Sequence, residues 1–358
     1  MAMKSTAHAK LETYKEIVSQ SEVWQAVLHD LKQNKSAESV LRTNNQKVSW
    51  LFVGCGTSFY LADAAATSWT LLTGEPTRAV PGSEILLYPA LTRSEAANLH
   101  AVVISRSGHT SEAVRAAHML RKEMQVPTIG ITCAEKSELE AECDSTLVLN
   151  AADEKSMVMT RSFTSMLISL QYLAATRAGN AKFCNALEVM AAQFAARIPS
   201  LVEQMEHFVD RHSFEDYVFL GQGPFHGLAR EAALKVMEMS CSYSQSFHTL
   251  EFRHGPKAIV TPATALTFFV SQAGQQAEVE VLEEMRELGG VTITVCNKAD
   301  EAIHKASELV LELNLPGDEL PRLASHIVPS QLMGFFTGIR KGLNPDQPKN
   351  LTRVVVLD

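Results

Sequence analysis

Short apolar runs rich in β-branched residues recur along the chain at 49–54, 100–105, 127–133 and 146–149, and again at 217–221, 265–270, 291–296 and 309–313. Runs of this length that do not alternate with polar residues mark strands covered on both faces. Their regular exchange with helical stretches, such as 59–73 and 109–124, predicts an α/β fold built on parallel sheets. Ahead of the first strand, Leu11, Tyr14, Ile17, Val18, Val23, Trp24, Val27, Leu28 and Leu31 keep largely to a helical period, which predicts an amphipathic helix over 10–32. Residues 163–210 have few breakers before Pro199 and read as continuous helix bridging two halves. Pro321 opens a final long helix to about residue 341, Gly342 to Pro348 is too rich in turn formers to be regular, and Arg353 to Leu357 is strand-like.

The two sets of strands carry the same punctuation. Leu51-Phe52-Val53-Gly54-Cys55-Gly56-Thr57-Ser58 is answered by Val218-Phe219-Leu220-Gly221-Gln222-Gly223-Pro224-Phe225. Ile104-Ser105-Arg106-Ser107-Gly108 is answered by Val270-Ser271-Gln272-Ala273-Gly274, and Leu147 to Asn150 by Leu311 to Asn314. All three pairs are separated by nearly the same number of residues, which argues for a duplicated α/β domain. The copies differ where strands give way to helices: the first is rich in hydroxyls there, and the second carries acids and bases.

A chain of 358 residues, 46% hydrophobic and 20% charged, has room for two cores of ordinary size. No apolar run reaches the length of a membrane span, and Met1-Ala2-Met3-Lys4-Ser5 leads into a polar stretch unlike a signal core, so neither membrane nor export is expected. The net charge of −8 and the lack of a basic block interleaved with aromatics exclude nucleic acid as the expected partner. Cys55, Cys133, Cys143, Cys184, Cys241 and Cys296 show no CxxC pairing and read as buried free thiols, and His226, His248 and His254 lack metal-ligand spacing. No metal and no cofactor are expected.

In an open parallel sheet, ligands bind beyond the carboxyl ends of the strands, near the point where strand order reverses. Ser58 follows one such end, and Ser105, Ser107 and Thr110 follow another, each leading into a helix whose first N–H groups favour an anion. Gly54, Gly56 and Gly108 let the backbone come close. Any one of these hydroxyls could be a helix cap; together they read as a phosphate cradle. There is neither a Walker motif nor an ordered GxGxxG to suggest a nucleotide. In the second copy Glu231, Lys235, Glu238 and Cys241 fall along one face of a helical stretch, with His254-Gly255-Pro256 nearby in sequence. A solvated salt-bridge stripe has the same spacing, but this stripe begins soon after a glycine turn at a strand's carboxyl end, which favours chemistry.

Five motifs in order resemble the sugar isomerase (SIS) domain family, in the double-domain arrangement of the isomerase half of glucosamine-fructose-6-phosphate synthase. They are Gly54-Cys55-Gly56-Thr57-Ser58, Ile104 to Thr110, Glu231 to Glu238, Glu251-Phe252-Arg253-His254-Gly255-Pro256 and Asp346-Gln347-Pro348-Lys349-Asn350-Leu351. The resemblance implies two tandem domains, each a parallel five-stranded sheet flanked by helices in a flavodoxin-like three-layer sandwich. It suggests an N-terminal helix over 1–35, a phosphate-binding domain over 36–180, a bridging helix over 181–210, an acid/base domain over 211–345 and a tail over 346–358.

On that resemblance Gly56, Ser58, Ser105, Arg106, Ser107 and Thr110 hold the phosphate of a hexose or hexosamine 6-phosphate. Glu238 shuttles a proton between C1 and C2, Lys235 stands beside the substrate oxygens with Glu231 one turn before it, and Glu154 lines the sugar site. His254 assists ring opening from the neighbouring subunit of a cytoplasmic homodimer with a shared site.

Two departures matter. The glutaminase domain and its nucleophilic cysteine are absent, and Arg353 stands where the synthase has a lysine that forms a Schiff base, which a guanidinium cannot do. Glu154 to Thr164 looks more like the family's catabolic deaminases. The expected activity is therefore glucosamine-6-phosphate deaminase. The alternatives are a ketose/aldose isomerase such as one for tagatose 6-phosphate, a sugar-amine phosphate deglycase, or a non-catalytic sugar-phosphate sensor.

Overall fold

The computed structural model describes residues 8–33, 41, 48–94 and 96–357. The Met1–Ser5 stretch and the boundary expected near residue 35 lie outside the described residues. The chain forms two compact units, one of Glu22–Glu154, Arg161–Glu188 and Thr352–Asp358, the other of Met1–Ser21, Lys155–Thr160 and Val189–Leu351.

In the first unit β1 (Ser49–Gly54), β2 (Thr77–Pro81), β3 (Leu99–Ile104), β4 (Thr128–Thr132) and β5 (Ser145–Val148) form a sheet in the order β2-β1-β3-β4-β5. Every pairing is parallel. Alternate residues of β1 serve opposite faces. Leu51 and Val53 enter one apolar cluster with Ala113, Ala116 and Leu120, while Trp50 and Phe52 meet Trp69 of the helix α3 (Thr57–Thr73), with ring centroids 4.7 and 5.4 Å apart. A strand buried on both faces needs this uninterrupted apolar run.

The second unit repeats the plan. Strands β6 (Asp216–Gly221), β7 (Tyr243–Phe247), β8 (Thr264–Phe269), β9 (Val291–Cys296) and β10 (Leu309–Glu312) are all parallel, in the order β7-β6-β8-β9-β10. The order matches the first sheet strand for strand, and strand order reverses at β1/β3 and at β6/β8. The expected double five-stranded α/β architecture is what the chain adopts.

Two strands carry no signal of the kind used above. β2 and β7 are edge strands, mostly half-buried. Each mixes polar residues into its five positions, Thr77 and Arg78 in β2 and Ser244, Gln245 and Ser246 in β7, as a strand paired on one side only allows.

Other elements differ from the periodic reading. The entry helix is two, α1 (Glu12–Val18) and α2 (Gln20–Gln33). The stretch 163–210 is three helices, α5 (Arg161–Arg177), α6 (Ala181–Phe194) and α7 (Ile198–Arg211); left-handed Gly179 closes the first, and Pro199 sits in the first turn of the third. In the first unit the helix after β3, α4 (Ser111–His118), runs into a π-helical turn at Met119–Glu123. Pro321 lies in a 3₁₀ segment, Leu320–Ile327, that precedes the last helix, α10 (Val328–Arg340). Residues 353–357 form no strand. Val355 and Leu357 instead bond to Ser111 and Arg115, and Arg353 to Arg106 and Asp153.

Asp346, in the Asp-Gln-Pro motif, closes the amino end of α1. Its carboxylate accepts from the backbone N–H groups of Glu12 and Thr13 at 2.9 and 2.8 Å and from the Thr13 hydroxyl at 2.7 Å, satisfying donors a helix start leaves open.

Helix α8 (Pro224–Ser240), which follows β6, packs against α10 through two glycines. A Cβ at Gly334 would lie 2.9 Å from the Lys235 carbonyl oxygen, and one at Gly338 would overlap the Met239 carbonyl oxygen. The small residues let the backbones close together and lock the face of α8 that carries Lys235. Gly338→Ala is expected to force the helices apart and destabilise the protein by about 1–3 kcal/mol, read as a lower urea midpoint. An unchanged midpoint would refute this packing.

Candidate functional site

The first group of residues sits on the loops that leave β1 and β3, which are hydrogen-bonded neighbours. Gly54 ends β1, and a Cβ there would collide with the Ser58 carbonyl, so only glycine allows the chain to turn into α3 within two residues. Gly56 (φ 55°) is the left-handed residue before that helix, and the Ser58 side chain is buried in its first turn.

After β3, the Ser105 hydroxyl oxygen accepts from the Gly108 N–H at 3.2 Å and lies 3.5 Å from the Thr110 hydroxyl. Ser107 accepts from the His109 N–H at 3.2 Å. The loop is tied to β4 because the Arg106 carbonyl accepts from the Thr132 hydroxyl and the Cys133 N–H. Four hydroxyl residues and the start of α4 thus share one end of the sheet, the arrangement expected of an oxyanion cradle.

Arg106 is only 5% exposed and pairs with the fully buried Glu154, Nη1 to Oε2 at 3.4 Å. Ser162 donates to the same Glu154 oxygen. Arg106 Nη2 also reaches the Arg353 carbonyl at 3.4 Å, and Arg353 itself pairs with Asp153 at 2.8 Å. The tail continues past the cradle: Ser111 N–H donates to the Val355 carbonyl at 3.2 Å, and Arg115 donates to the Leu357 carbonyl at 3.0 Å. Asp153, Ser162 and these tail contacts had no individual signal in the sequence, although Ser162 lies in the tract beginning at Glu154.

In the second unit α8 carries the charged stripe. Lys235 and Glu231 are fully buried, with Nζ 3.3 Å from Glu231 Oε1 and 2.5 Å from Glu238 Oε2; the Glu238 side chain is 16% exposed. A solvated salt-bridge stripe is excluded by that burial. Burial pulls the Lys235 pKa down, but the Glu231 and Glu238 carboxylates outweigh it and hold the ammonium above the ordinary lysine range. The arrangement keeps a fixed cation against a carboxylate that still reaches solvent.

Cys241 does not belong to this face. The helix ends at Ser240, and Cys241 is its exposed left-handed cap, at φ 48°. The other thiols are free, as expected, but only Cys133, Cys143 and Cys296 are buried; Cys55 and Cys184 are partly accessible. Burial raises the Cys143 and Cys296 thiols to about 12, so they stay protonated at neutral pH. His254 lies on an exposed turn after the 3₁₀ segment Leu250–Arg253, and His226 and His248 stack face to face at 3.7 Å. Among the described residues no cluster of His, Cys, Asp or Glu could hold a metal ion, and no helix is long and apolar enough to cross a membrane. A cavity of about 120 Å³ lined by His212, Phe214, Tyr217, Thr337 and Arg340 contains none of the candidate residues.

The SIS domain family matches this chain at residues 44–176 and 215–333, and the chain belongs to that family. The glutamine-fructose-6-phosphate aminotransferase (isomerizing) of Methanothermobacter thermautotrophicus is 27% identical over 320 residues, 86% of this chain and 51% of that protein. The same-named protein of Pyrobaculum aerophilum is 28% identical, again over 86% of this chain and 51% of its own. The chain thus spans about half the length of these relatives. Among solved structures, the glucosamine-6-phosphate deaminase of Thermotoga maritima is 28% identical with a TM-score of 0.78, covering 97% of this chain and 100% of that one. The tagatose-6-phosphate ketose/aldose isomerase of Escherichia coli shares the fold, at 24% identity and a TM-score of 0.83, with 97% of each chain covered. These four relatives and neighbours are enzymes.

Replacing Lys235 would leave two carboxylates facing each other inside the unit. Lys235→Met is expected to cost about 3–5 kcal/mol in urea unfolding. Because the lysine pKa is raised on folding, its contribution is complete below the ordinary lysine range and is lost only as pH climbs past the raised value. The deficit should therefore be constant from neutral to mildly alkaline pH. A variant as stable as the parent, or a deficit that appears only in acid, would contradict the buried pairing.

Proposed function

We propose that the protein is an amino sugar phosphate deaminase of the aldose-ketose isomerase type, acting on glucosamine 6-phosphate. The observation that carries this reading is the buried Lys235 ammonium held 2.5 Å from the partly accessible Glu238 carboxylate. Moving a proton from C2 to C1 of an open-chain sugar needs a base that can give the proton back, and a fixed cation near the negative charge that develops between the two carbons. Glu238 takes the first role and Lys235 the second, with Glu231 keeping the lysine charged. The hydroxyls of Ser58, Ser105, Ser107 and Thr110, together with the backbone around Gly56, hold the phosphate. Arg106 and Glu154 shape that loop through their mutual pairing.

With an amine at C2, the proton shift leaves an imine at that carbon, which water opens to ammonia and fructose 6-phosphate. No enzyme lysine has to form a Schiff base. Arg353, engaged with Asp153, suits this route better than synthesis. The 28% identity to a protein named glucosamine-6-phosphate deaminase supports the choice of amine over a plain hydroxyl sugar. The exposed His254 fits ring opening in a second copy, so the reading includes a homodimer; a cytoplasmic location goes with it.

Purified protein given glucosamine 6-phosphate should release ammonia and fructose 6-phosphate in equal amounts. Glu238→Gln should lower kcat by about 10²–10⁴-fold with little change in KM, as expected for loss of a proton shuttle, while Ser105→Ala should mainly raise KM. Interconversion of tagatose 6-phosphate with its aldose and no ammonia from the amino sugar would select the isomerase alternative. Ligand binding without turnover of any hexose or hexosamine phosphate would select the sensor.

A further inference from the structure

The loop after β8 repeats the loop after β3. Ser271 stands for Ser105 and Gly274 for Gly108, and in both copies the serine hydroxyl oxygen accepts from the glycine N–H, at 2.9 Å in the second and 3.2 Å in the first. Each loop is followed by a helix with a glutamate at the same repeat position, Glu112 in α4 and Glu278 in α9 (Gln275–Glu287). The two glutamates behave differently. Among the described residues Glu112 makes no side-chain hydrogen bond to its loop. Glu278 turns back into its own loop: Oε2 accepts from the Ser271 N–H at 2.6 Å, and Oε1 accepts from the Ser271 hydroxyl at 3.1 Å. It is 1% exposed, and a Cβ on Gly274 would stand 3.0 Å from its Oε1. A second carboxylate, that of Glu319, accepts from the Gln272 N–H of the same loop.

We propose that the β8 loop is a second anion-binding site whose ligand is the protein's own Glu278 carboxylate, a built-in substitute for an external oxyanion such as phosphate. A carboxylate presents two acceptor oxygens to the N–H and hydroxyl donors that would otherwise meet a phosphate at a helix start. The comparison with the β3 loop rests on the phosphate reading given above; the occupancy of the β8 loop by Glu278 does not. Burial pushes the Glu278 carboxyl up to about 7, with the neighbouring Glu319 charge adding to the effect and the Ser271 hydrogen bonds opposing it. An anion held in so dry a place depends on those donors. Each chain therefore has one loop open to an external anion, although both copies of the duplicated domain keep the loop's backbone design.

The test is phosphate binding to the full chain, using inorganic phosphate as the probe, in calorimetry and in crystals soaked with it. Glu278→Ala should gain a phosphate site at the Ser271 N–H and hydroxyl that the parent lacks, with affinity at that loop rising on the order of tenfold or more. If Glu278→Ala folds poorly, phosphate should rescue it, raising its urea midpoint with phosphate concentration more steeply than the parent's. Parent and Glu278→Ala binding the same number of phosphates, with no extra rescue, would overturn the proposal. Ser105→Ala in both backgrounds separates the two readings. A parent that binds no phosphate through Ser105 refutes the first-loop assignment, whereas a missing difference between parent and Glu278→Ala refutes this one.

Discussion

Both halves of this protein depend on a backbone approach that only glycine permits. Gly54 ends β1 against the Ser58 carbonyl and Gly221 ends β6 against the Phe225 carbonyl, and a methyl group on either would strike the first turn of the following helix. Because only two residues separate strand from helix, the positive end of the helix is brought to the carboxyl edge of the sheet. The residues after each turn then take up whatever chemistry they carry. In the first unit they are hydroxyls; in the second the helix continues into Glu231, Lys235 and Glu238. One steric constraint, repeated, sets the position of two different kinds of site.

The charged stripe on α8 shows why composition alone is a poor guide to role. Glu and Lys at helical spacing are ordinary surface decoration worth a few tenths of a kcal/mol. Here Glu231 and Lys235 have no exposure at all. Burying charges costs far more than an exposed pair returns, unless they are well matched. The close approach of α10 at Gly334 and Gly338 helps seal them in. A fold that keeps such a group inside, with one carboxylate at the rim, is organised around the position of that carboxylate.

The features legible in the sequence were those written in local periodicity. Eight strands, the duplication and the hydroxyl-rich turns follow from apolar runs and glycines a few residues apart, and so does the placement of Glu231, Lys235 and Glu238 on one helix face. The edge strands β2 and β7 were not marked by such runs, because Thr77 and Arg78 in one and Ser244, Gln245 and Ser246 in the other interrupt them; the other two edges, β5 and β10, are also half-buried but kept mostly apolar sequences. The long helical stretch broke at Gly179 and before Pro199, where helical periodicity continued across residues whose backbone turns away. Cys241 kept the spacing of the stripe but fell one residue past the helix end. The contacts of Arg353, Val355 and Leu357 join positions 200 or more residues apart, and no local pattern encodes them. The contrast between Glu112 and Glu278 was equally hidden, since the two occupy matching places and only the direction of the side chain separates them.

The two units interleave along the chain: residues 155–160 interrupt the first to join the second, and residues 352–358 return to the first after the second is complete. Neither can be excised as a single uninterrupted fragment. A truncation after the last helix would strip the first unit of backbone acceptors near Ser111 and Arg115 while leaving the second sheet whole. During synthesis the half that emerges earlier is finished later, so any assay on a piece of this chain would report on an incomplete molecule.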